Sequence, residues 1–179
     1  MASVLVPLAQ GCEELEAITI IDLLRRAGIE VTSAGLDEKQ VTASRGVVLV
    51  PDTDLDSALK KQYDMIVLPG GLPGADHLDN DTRLRERLIS MAQDGKCVAA
   101  ICAAPKVLAN SGLLKDKKAT CYTGVLDALG IKSETSAVVE DGNIITSRGP
   151  GTAMDFALTL IEKLSGKEKR DEVEKGLMR

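Results

Sequence analysis

Aromatic side chains are almost missing from this chain of 179 residues, which has one Phe, two Tyr and no Trp. That scarcity argues against binding by stacking bases on aromatic platforms, and it leaves the core to Val, Ile, Leu and Ala. Basic runs are missing too. Lys and Arg number 22 against 27 Asp and Glu, for a net charge of −5, and without a clustered positive track duplex nucleic acid is not expected as a ligand. No apolar run approaches the roughly 20 residues of a membrane span, and "SVLVPLA" begins without the charged and cleavable parts of a secretory leader. A cytoplasmic protein without a membrane partner is expected.

Histidine occurs once, as His77 in the polar stretch "GADHLDN", where it reads as a surface residue rather than a catalytic base. A Cys-His dyad is not indicated. The four cysteines, at 12, 97, 102 and 121, form no C-x-x-C pair and have no His at ligand spacing, so no zinc site is expected. In a reducing compartment they remain free thiols. Nothing requires a metal or an organic cofactor.

What is present is 44% apolar and 27% charged residues, with sixteen Gly and six Pro, the mixture of a globular protein. The length suits a single domain over 1–179. Short aliphatic runs alternate with helical patterns, the signature of βαβ units and a mostly parallel sheet covered on both faces. Strands are expected over 3–9, over "IEVTSAGL", over "GVVLVPD" at 46–52, over "YDMIVLPGG" up to its Pro-Gly-Gly turn, over "KCVAAI", and over "SAVVE" and "NIITS" on either side of the hairpin dipeptide Asp141-Gly142. Helices are expected at about 13–27, closed by Gly28, briefly over "DSALKKQ", over 81–93, over 103–109 and from about 152 to 164. The charged "KEKRDEVEKGLMR" reads as a solvated last helix or a frayed tail.

In an open α/β sheet, ligands collect beyond the carboxyl ends of the strands. The loops "QGCEE" and "LPGGLPG" and the turn at Cys102 are expected to meet there. In "VAAICAAPKVLA", Cys102 stands where a buried strand stops and a helix begins, and Ala99, Ala100, Ala103 and Ala104 keep the turn uncrowded. A sharp strand-to-helix elbow exposes its central side chain and aims the next backbone N–H at the space above it. A thiol at a helix N-terminus also has its pKa lowered toward the thiolate. The alternative is a buried filler, a role that free Cys often takes. Cys97 reads as core, Cys121 as lying on or beside a late strand, and Cys12 as structural, although its loop opens at the same sheet edge.

Glu13, Glu14 and Glu16 crowd the first turns of the first long helix. Complementing the helix dipole is a sufficient account of Glu13 and Glu14. Glu16, however, precedes Ile20, Leu23 and Leu24 at helical spacings, which places it on the inward stripe. Burial raises a carboxyl pKa, so Glu16 is expected to keep its proton near neutral pH, to hydrogen-bond a thiolate and to act as general acid or base. The N–H groups of Gly70, Gly71 and Ala103 are candidates for holding an oxyanion, the alternative for the glycines being a plain turn. "SRGPG", at 147–151, either lines the pocket or sets the backbone for the helix after it.

Taken together, "SVLVPLAQGCEELEA", "RRAGIEV", "YDMIVLPGG", "AAICAAP" and "TSRGPGTAMDFAL" resemble the ThiJ/PfpI superfamily, in its DJ-one branch, over nearly the whole chain. The resemblance implies a flavodoxin-like three-layer α/β sandwich and a homodimer. It also implies that Cys102 is the elbow nucleophile and oxidation-sensitive thiol, that Glu16 is the acid hydrogen-bonded to it, and that Gly70, Gly71 and Ala103 are the backbone donors. Leu15, Arg26 and Arg45 correspond to positions near the dimer contact, and Tyr122, Arg148 and Pro150 are pocket candidates. Many members have a pocket histidine in the segment equivalent to "KATCYTG", where this chain has Tyr122.

The family implies a glutathione-independent glyoxalase or protein deglycase acting on methylglyoxal, glyoxal and their early adducts, with nucleic acid entering only as a glycated substrate. The alternative is an oxidative-stress sensor or redox-regulated chaperone in which Cys102 goes to sulfinic acid. A peptidase or amidase fits the elbow but lacks a His base.

Overall fold

Alternation of side chains along the strands decides the architecture. In the first strand, β1 (Ser3–Leu8), Val4, Val6 and Leu8 point to one side and Leu5 to the other, and none is more than 2% exposed. Such a strand has to be covered on both faces. The computed structural model describes residues 1–37 and 39–179. After β1 come α1 (Glu14–Arg26), β2 (Glu30–Gly35), β3 (Val41–Thr42), β4 (Val48–Leu49), β5 (Thr53–Asp54), α2 (Leu55–Ala58), β6 (Met65–Leu68), α3 (Gly74–Asn80) and α4 (Thr82–Gln93). The chain continues through β7 (Cys97–Ile101), α5 (Pro105–Asn110), β8 (Val138–Asp141), β9 (Ile144–Ser147), α6 (Ala153–Ser165) and α7 (Lys167–Gly176).

Among the described residues the main sheet has seven strands in the order β5-β2-β1-β6-β7-β9-β8. All neighbours run parallel except the β8–β9 hairpin, which turns at Asp141-Gly142 with Gly142 at φ 68°. On one face α1 and α6 bring Ile20, Leu24, Phe156 and Leu160 against Val4, Val6, Met65 and Val67. On the other, α2 to α5 bring Leu55, Leu78, Leu88 and Val107 against Leu5, Ile66, Leu68 and Val98. The mostly parallel, two-sided α/β sandwich expected from the aliphatic runs is the fold. None of the described helices is long and apolar enough to cross a membrane.

Three segments differ from expectation, each for a local reason. "GVVLVPD" is not a strand of the main sheet: Val48 and Leu49 pair antiparallel with Thr42 and Val41 in a separate ribbon, and the seventh strand of the main sheet is Thr53–Asp54 instead. Proline at 51 lacks the N–H that would continue a ladder. "GADHLDN" is helical, as α3, with Ala75 and Leu78 buried beneath its polar surface; two apolar residues three apart are too few to register as a period. The helix expected over 103–109 starts only at Pro105, the residue whose fixed φ suits a first helical position.

Phe156 is fully buried between α6 and the sheet, and is the chain's one phenylalanine. Its replacement by Ala is expected to cost about 3–5 kcal/mol, as cavity-forming core truncations do, read as a lowered urea midpoint with an unchanged m-value.

Candidate active site

The strands β1, β6 and β7 are adjacent in the sheet, so the loops leaving their carboxyl ends meet. Cys102 follows β7 directly and has φ 65°, the left-handed region that a residue with a Cβ enters at a cost. Neighbouring elements hold it there. Its N–H donates to Ser147 O at 3.0 Å, and its carbonyl accepts from Tyr122 N at 2.8 Å. Ala99, Ala100 and Ala104 beneath the turn are fully buried and Ala103 nearly so, so larger side chains would crowd it. The backbone groups of Gly71 and Ala103 act on the sulfur by favouring its charged form. The expectation of a thiol seated on a helix N-terminus is corrected accordingly, since α5 begins three residues later and spans six residues.

Glu16, in the first turn of α1, is fully buried. Its Oε2 accepts the N–H of Gly70 at 2.8 Å. Its Oε1 has no hydrogen-bond partner of good geometry, and the polar group that interacts with the carboxyl from the other side is the thiol of Cys102. Gly70 separates the two: a Cβ there would come within 2.7 Å of Cys102 Cβ and 2.8 Å of Glu16 Oε2. Only glycine fits. Gly71 is at φ 88°, with a Cβ position 2.7 Å from the carbonyl carbon of Cys12. The N–H of Gly70 is thus committed to Glu16 and is not an oxyanion donor, whereas those of Gly71 and Ala103 face the sulfur.

Burial pushes the Glu16 carboxyl up to about 7, against the pull of the Gly70 N–H. Burial also pushes the Cys102 thiol up to about 12, helped by the negative charge of Glu16 and the hydrogen bond to it, and opposed by the Gly71 and Ala103 N–H groups. A lowered thiol pKa was expected, and the structure reverses its direction. The reason is that one buried pocket accommodates one negative charge. Groups this close titrate as a pair, so the first proton leaves near neutrality and the second is retained. With the charge on the carboxylate, Gly70 solvates it; with the charge on sulfur, Gly71 and Ala103 do.

Tyr122, Arg148 and Pro150 come together with Gly149 around a cleft of about 250 Å³. Neither Cys102 nor Glu16 is among its lining residues, although a Cβ on Gly149 would lie 4.0 Å from Cys102 Sγ. A larger cleft of about 380 Å³ lies beside Leu36, Val41 and His77 and includes neither Cys102 nor Glu16. His77 is exposed, away from the thiol. Leu15, Arg26 and Arg45 stand outside the site: Leu15 is 50% exposed, Arg26 pairs with Asp22 at 2.6 Å, and Arg45 is at the surface. All four cysteines are free. Cys12 is buried, and burial first and the charge of Glu14 second push its thiol up to about 12. Cys121 Sγ accepts from Leu126 N at 3.4 Å. Cys97, which opens β7, is partly buried and packs against the core.

One residue escaped the sequence. Glu14 accepts from Arg45 N at 2.9 Å and from Ser44 Oγ at 3.1 Å, and although burial works against it, these hydrogen bonds hold its carboxyl below the usual range. It ties α1 to the β3–β4 ribbon rather than merely facing the helix dipole. Its partners lie thirty residues away, so no local spacing announces them. Among the described residues no group of three or more His, Cys, Asp or Glu is placed to hold a metal ion.

A family model described as the DJ-1/PfpI family matches residues 2–163. Protein dj-1beta of Drosophila melanogaster is 47% identical over 180 residues, which cover 98% of this chain and 96% of that one. The crystal structure of Drosophila melanogaster DJ-1beta superposes with a TM-score of 0.95 at 46% identity, over 99% of this chain and 97% of the other. Glutathione-independent glyoxalase DJR-1.2 of Caenorhabditis elegans is 37% identical over 179 residues, covering 98% of this chain and 95% of its own. With its elbow cysteine and buried glutamate set on this fold, the chain belongs to the DJ-1/PfpI family.

Proposed function

We propose that the protein is a glutathione-independent glyoxalase that converts α-oxoaldehydes such as methylglyoxal and glyoxal to 2-hydroxy acids, and that it acts on their early protein adducts as a deglycase. The observation that carries this reading is a fully buried Glu16 carboxyl facing the elbow thiol of Cys102 across Gly70, with Oε2 on the Gly70 N–H and Oε1 left without a partner. The C. elegans relative named as a glyoxalase supports it.

The raised thiol pKa sets the order of events. Ionised Glu16 takes the Cys102 proton as Sγ bonds to the aldehyde carbon, and passes it to the aldehyde oxygen to give a hemithioacetal. Glu16 next removes the hydrogen of that carbon, the hydroxyl proton of the enediol so formed passes to the neighbouring oxygen, and Glu16 returns its proton to the former ketone carbon. The first carbon is oxidised by two electrons and the second reduced by two, which leaves a thioester of the 2-hydroxy acid. Water then cleaves the Sγ–C bond and restores thiol and carboxylate. The N–H groups of Gly71 and Ala103 lie where charge builds beside the sulfur.

We also propose a homodimer. Leu15 and Ile18 on α1 and Val47, Val48 and Val50 on the β3–β4 ribbon are 46–71% exposed, and Glu14 ties these two elements together. An apolar face this concentrated marks an interface. Arg26, Asp22 and Arg45 at its edge carry both signs of charge, which suits pairing with a second copy. Sedimentation velocity is expected to give a dimer for the wild type and a monomer for Ile18→Asp combined with Val50→Asp; a monomeric wild type overturns the assignment.

Product NMR without added thiol or amine, under anaerobic conditions, tests the chemistry. Cys102→Ser is expected to abolish lactate formation from methylglyoxal, and Glu16→Gln to reduce it about 10²–10⁴-fold. Turnover that survives in Cys102→Ser sinks the mechanism. A wild type that makes no lactate but loses Cys102 selectively to mild peroxide would instead be a redox sensor.

The shared proton also sets the pH response. Wild-type kcat/KM is expected to rise with pH through about 7, with the rising limb missing in Glu16→Gln. Stability should run the opposite way. Because the folded carboxyl pKa lies above its ordinary 4.5, its contribution is present below that value and is lost as pH climbs through 7, by up to about 3 kcal/mol. Urea titrations at pH 5 and 8 should show this slope in the wild type and a flatter one in Glu16→Gln.

A further inference from the structure

Two buried hydroxyls stand behind the thiol, and the chemistry above has no use for them. Thr146 and Ser147 end β9 and are both fully buried. In the sheet they lie beside Ala100 and Ile101, the last two residues of β7 before Cys102. Side chains alternate along a strand. Thr146 therefore shares the face of Ile144, in the layer of α2 to α5, and Ser147 shares that of Ile145, in the layer of α1 and α6. A buried hydroxyl costs free energy unless it is hydrogen-bonded, so its partners show what it holds.

Thr146 Oγ1 accepts the N–H of Thr120 at 2.9 Å, and Thr120, itself fully buried, donates its hydroxyl to Glu134 O at 2.9 Å. Two residues further on, the Tyr122 N–H donates to Cys102 O at 2.8 Å. On the opposite face, Ser147 Oγ donates to Ala137 O at 2.8 Å and lies 2.7 Å from Thr152 Oγ1, which accepts the Gly149 N–H at 3.2 Å. Each hydroxyl has one proton. With that of Ser147 on Ala137 O, the short contact takes the proton of Thr152, and the bonds run in one direction from Gly149 N to Ala137 O. This fixes the end of β9, where Ser147 O accepts the Cys102 N–H at 3.0 Å. Both backbone groups of Cys102 thus end on a segment that one of the two hydroxyls anchors.

A residue with a Cβ stays at φ 65° only while its surroundings dictate it, and relaxation of that turn would swing the sulfur off Glu16. We infer that Thr146 and Ser147 are positioning residues whose hydroxyls, one on each face of the sheet, hold Cys102 in its left-handed turn against Glu16. This deepens the glyoxalase reading, but the test is made on the thiol itself and needs no turnover.

Alkylation by iodoacetamide is followed at each cysteine by peptide mass spectrometry from pH 6 to 9, since the thiolate is the form that reacts. In the wild type the Cys102 rate is expected to rise to about pH 7 and then flatten, because the pair has by then released the one proton it gives up readily. The other charged group near Glu16 is Glu13, which the substitutions leave in place. In Thr146→Val, which keeps the shape but leaves the Thr120 N–H unpaired, the rate should go on rising about ten-fold per pH unit toward the ordinary thiol value of 9.0. Thr146→Ser keeps the hydroxyl and should restore the flattening. Cys97, at the far end of β7, should give one profile in all three proteins. Should Thr146→Val not fold, Ser147→Ala takes its place with the same expected profile.

A wild type without the flattening, or flattening that survives in whichever variant folds, overturns the inference. So does alkylation of the buried Cys12 and Cys121 that speeds up as much as that of Cys102, the mark of a general loosening. Lactate production is measured separately, and its absence would count against the glyoxalase reading alone.

Discussion

A carboxyl and a thiol share a pocket that accommodates one charge, and the surrounding structure is arranged around that limit. Glu16 is fully buried and leans on a single backbone donor, the Gly70 N–H. Cys102 sits against it with the Gly71 and Ala103 N–H groups on its sulfur. Two full charges at this distance in a poorly solvated site would repel strongly. Burial accordingly pushes both groups toward their neutral forms.

Holding the unit together places severe demands on small residues. The sulfur is delivered by a left-handed turn at φ 65°, a conformation that costs on the order of 1–3 kcal/mol and persists only when its surroundings over-determine it. Here they do so through Ser147 O on one side and Tyr122 N on the other. The carboxyl reaches the thiol only because Gly70 leaves the space between them open. Gly71 lies so close to the β1–α1 loop that a Cβ would press on the backbone of Cys12. That loop is secured from the other direction as well, since Glu13 N donates to Gly70 O at 2.8 Å and Ser44 N to Cys12 O at 2.8 Å. Through Glu14 and Ser44 the same loop region is joined to the apolar face on α1 and the β3–β4 ribbon. The β3–β4 ribbon is thus hydrogen-bonded to the helix that carries Glu16.

Much of the fold was legible because the strands are aliphatic on both sides. Runs such as "MIVL" and "VAAI" have no polar face to turn to water, so each had to be an interior strand between two helix layers. Legibility failed where the pattern was too short or carried the wrong cue. Val47, Val48 and Val50 look like strand interior but are about half exposed or more, since an apolar run carries no record of whether another element covers it. In α3, Ala75 and Leu78 are the only buried residues with a side chain that mark the inward side of a polar segment.

Residue by residue, the sequence by itself determined which positions are candidates for the site. Glu16 on the inward stripe of α1, Cys102 at the end of an aliphatic strand among alanines, and the glycine pair at 70 and 71 all follow from spacing and side-chain size. Only the tertiary structure decided what they do to one another. It assigned the Gly70 N–H to the carboxylate instead of to a substrate, and it put Tyr122 across the Gly149 gap from the sulfur. It also reversed the expected direction of the thiol pKa. The physical reason is that a pKa or a hydrogen bond depends on distance and solvent exclusion between segments far apart in the chain, and no local spacing encodes either.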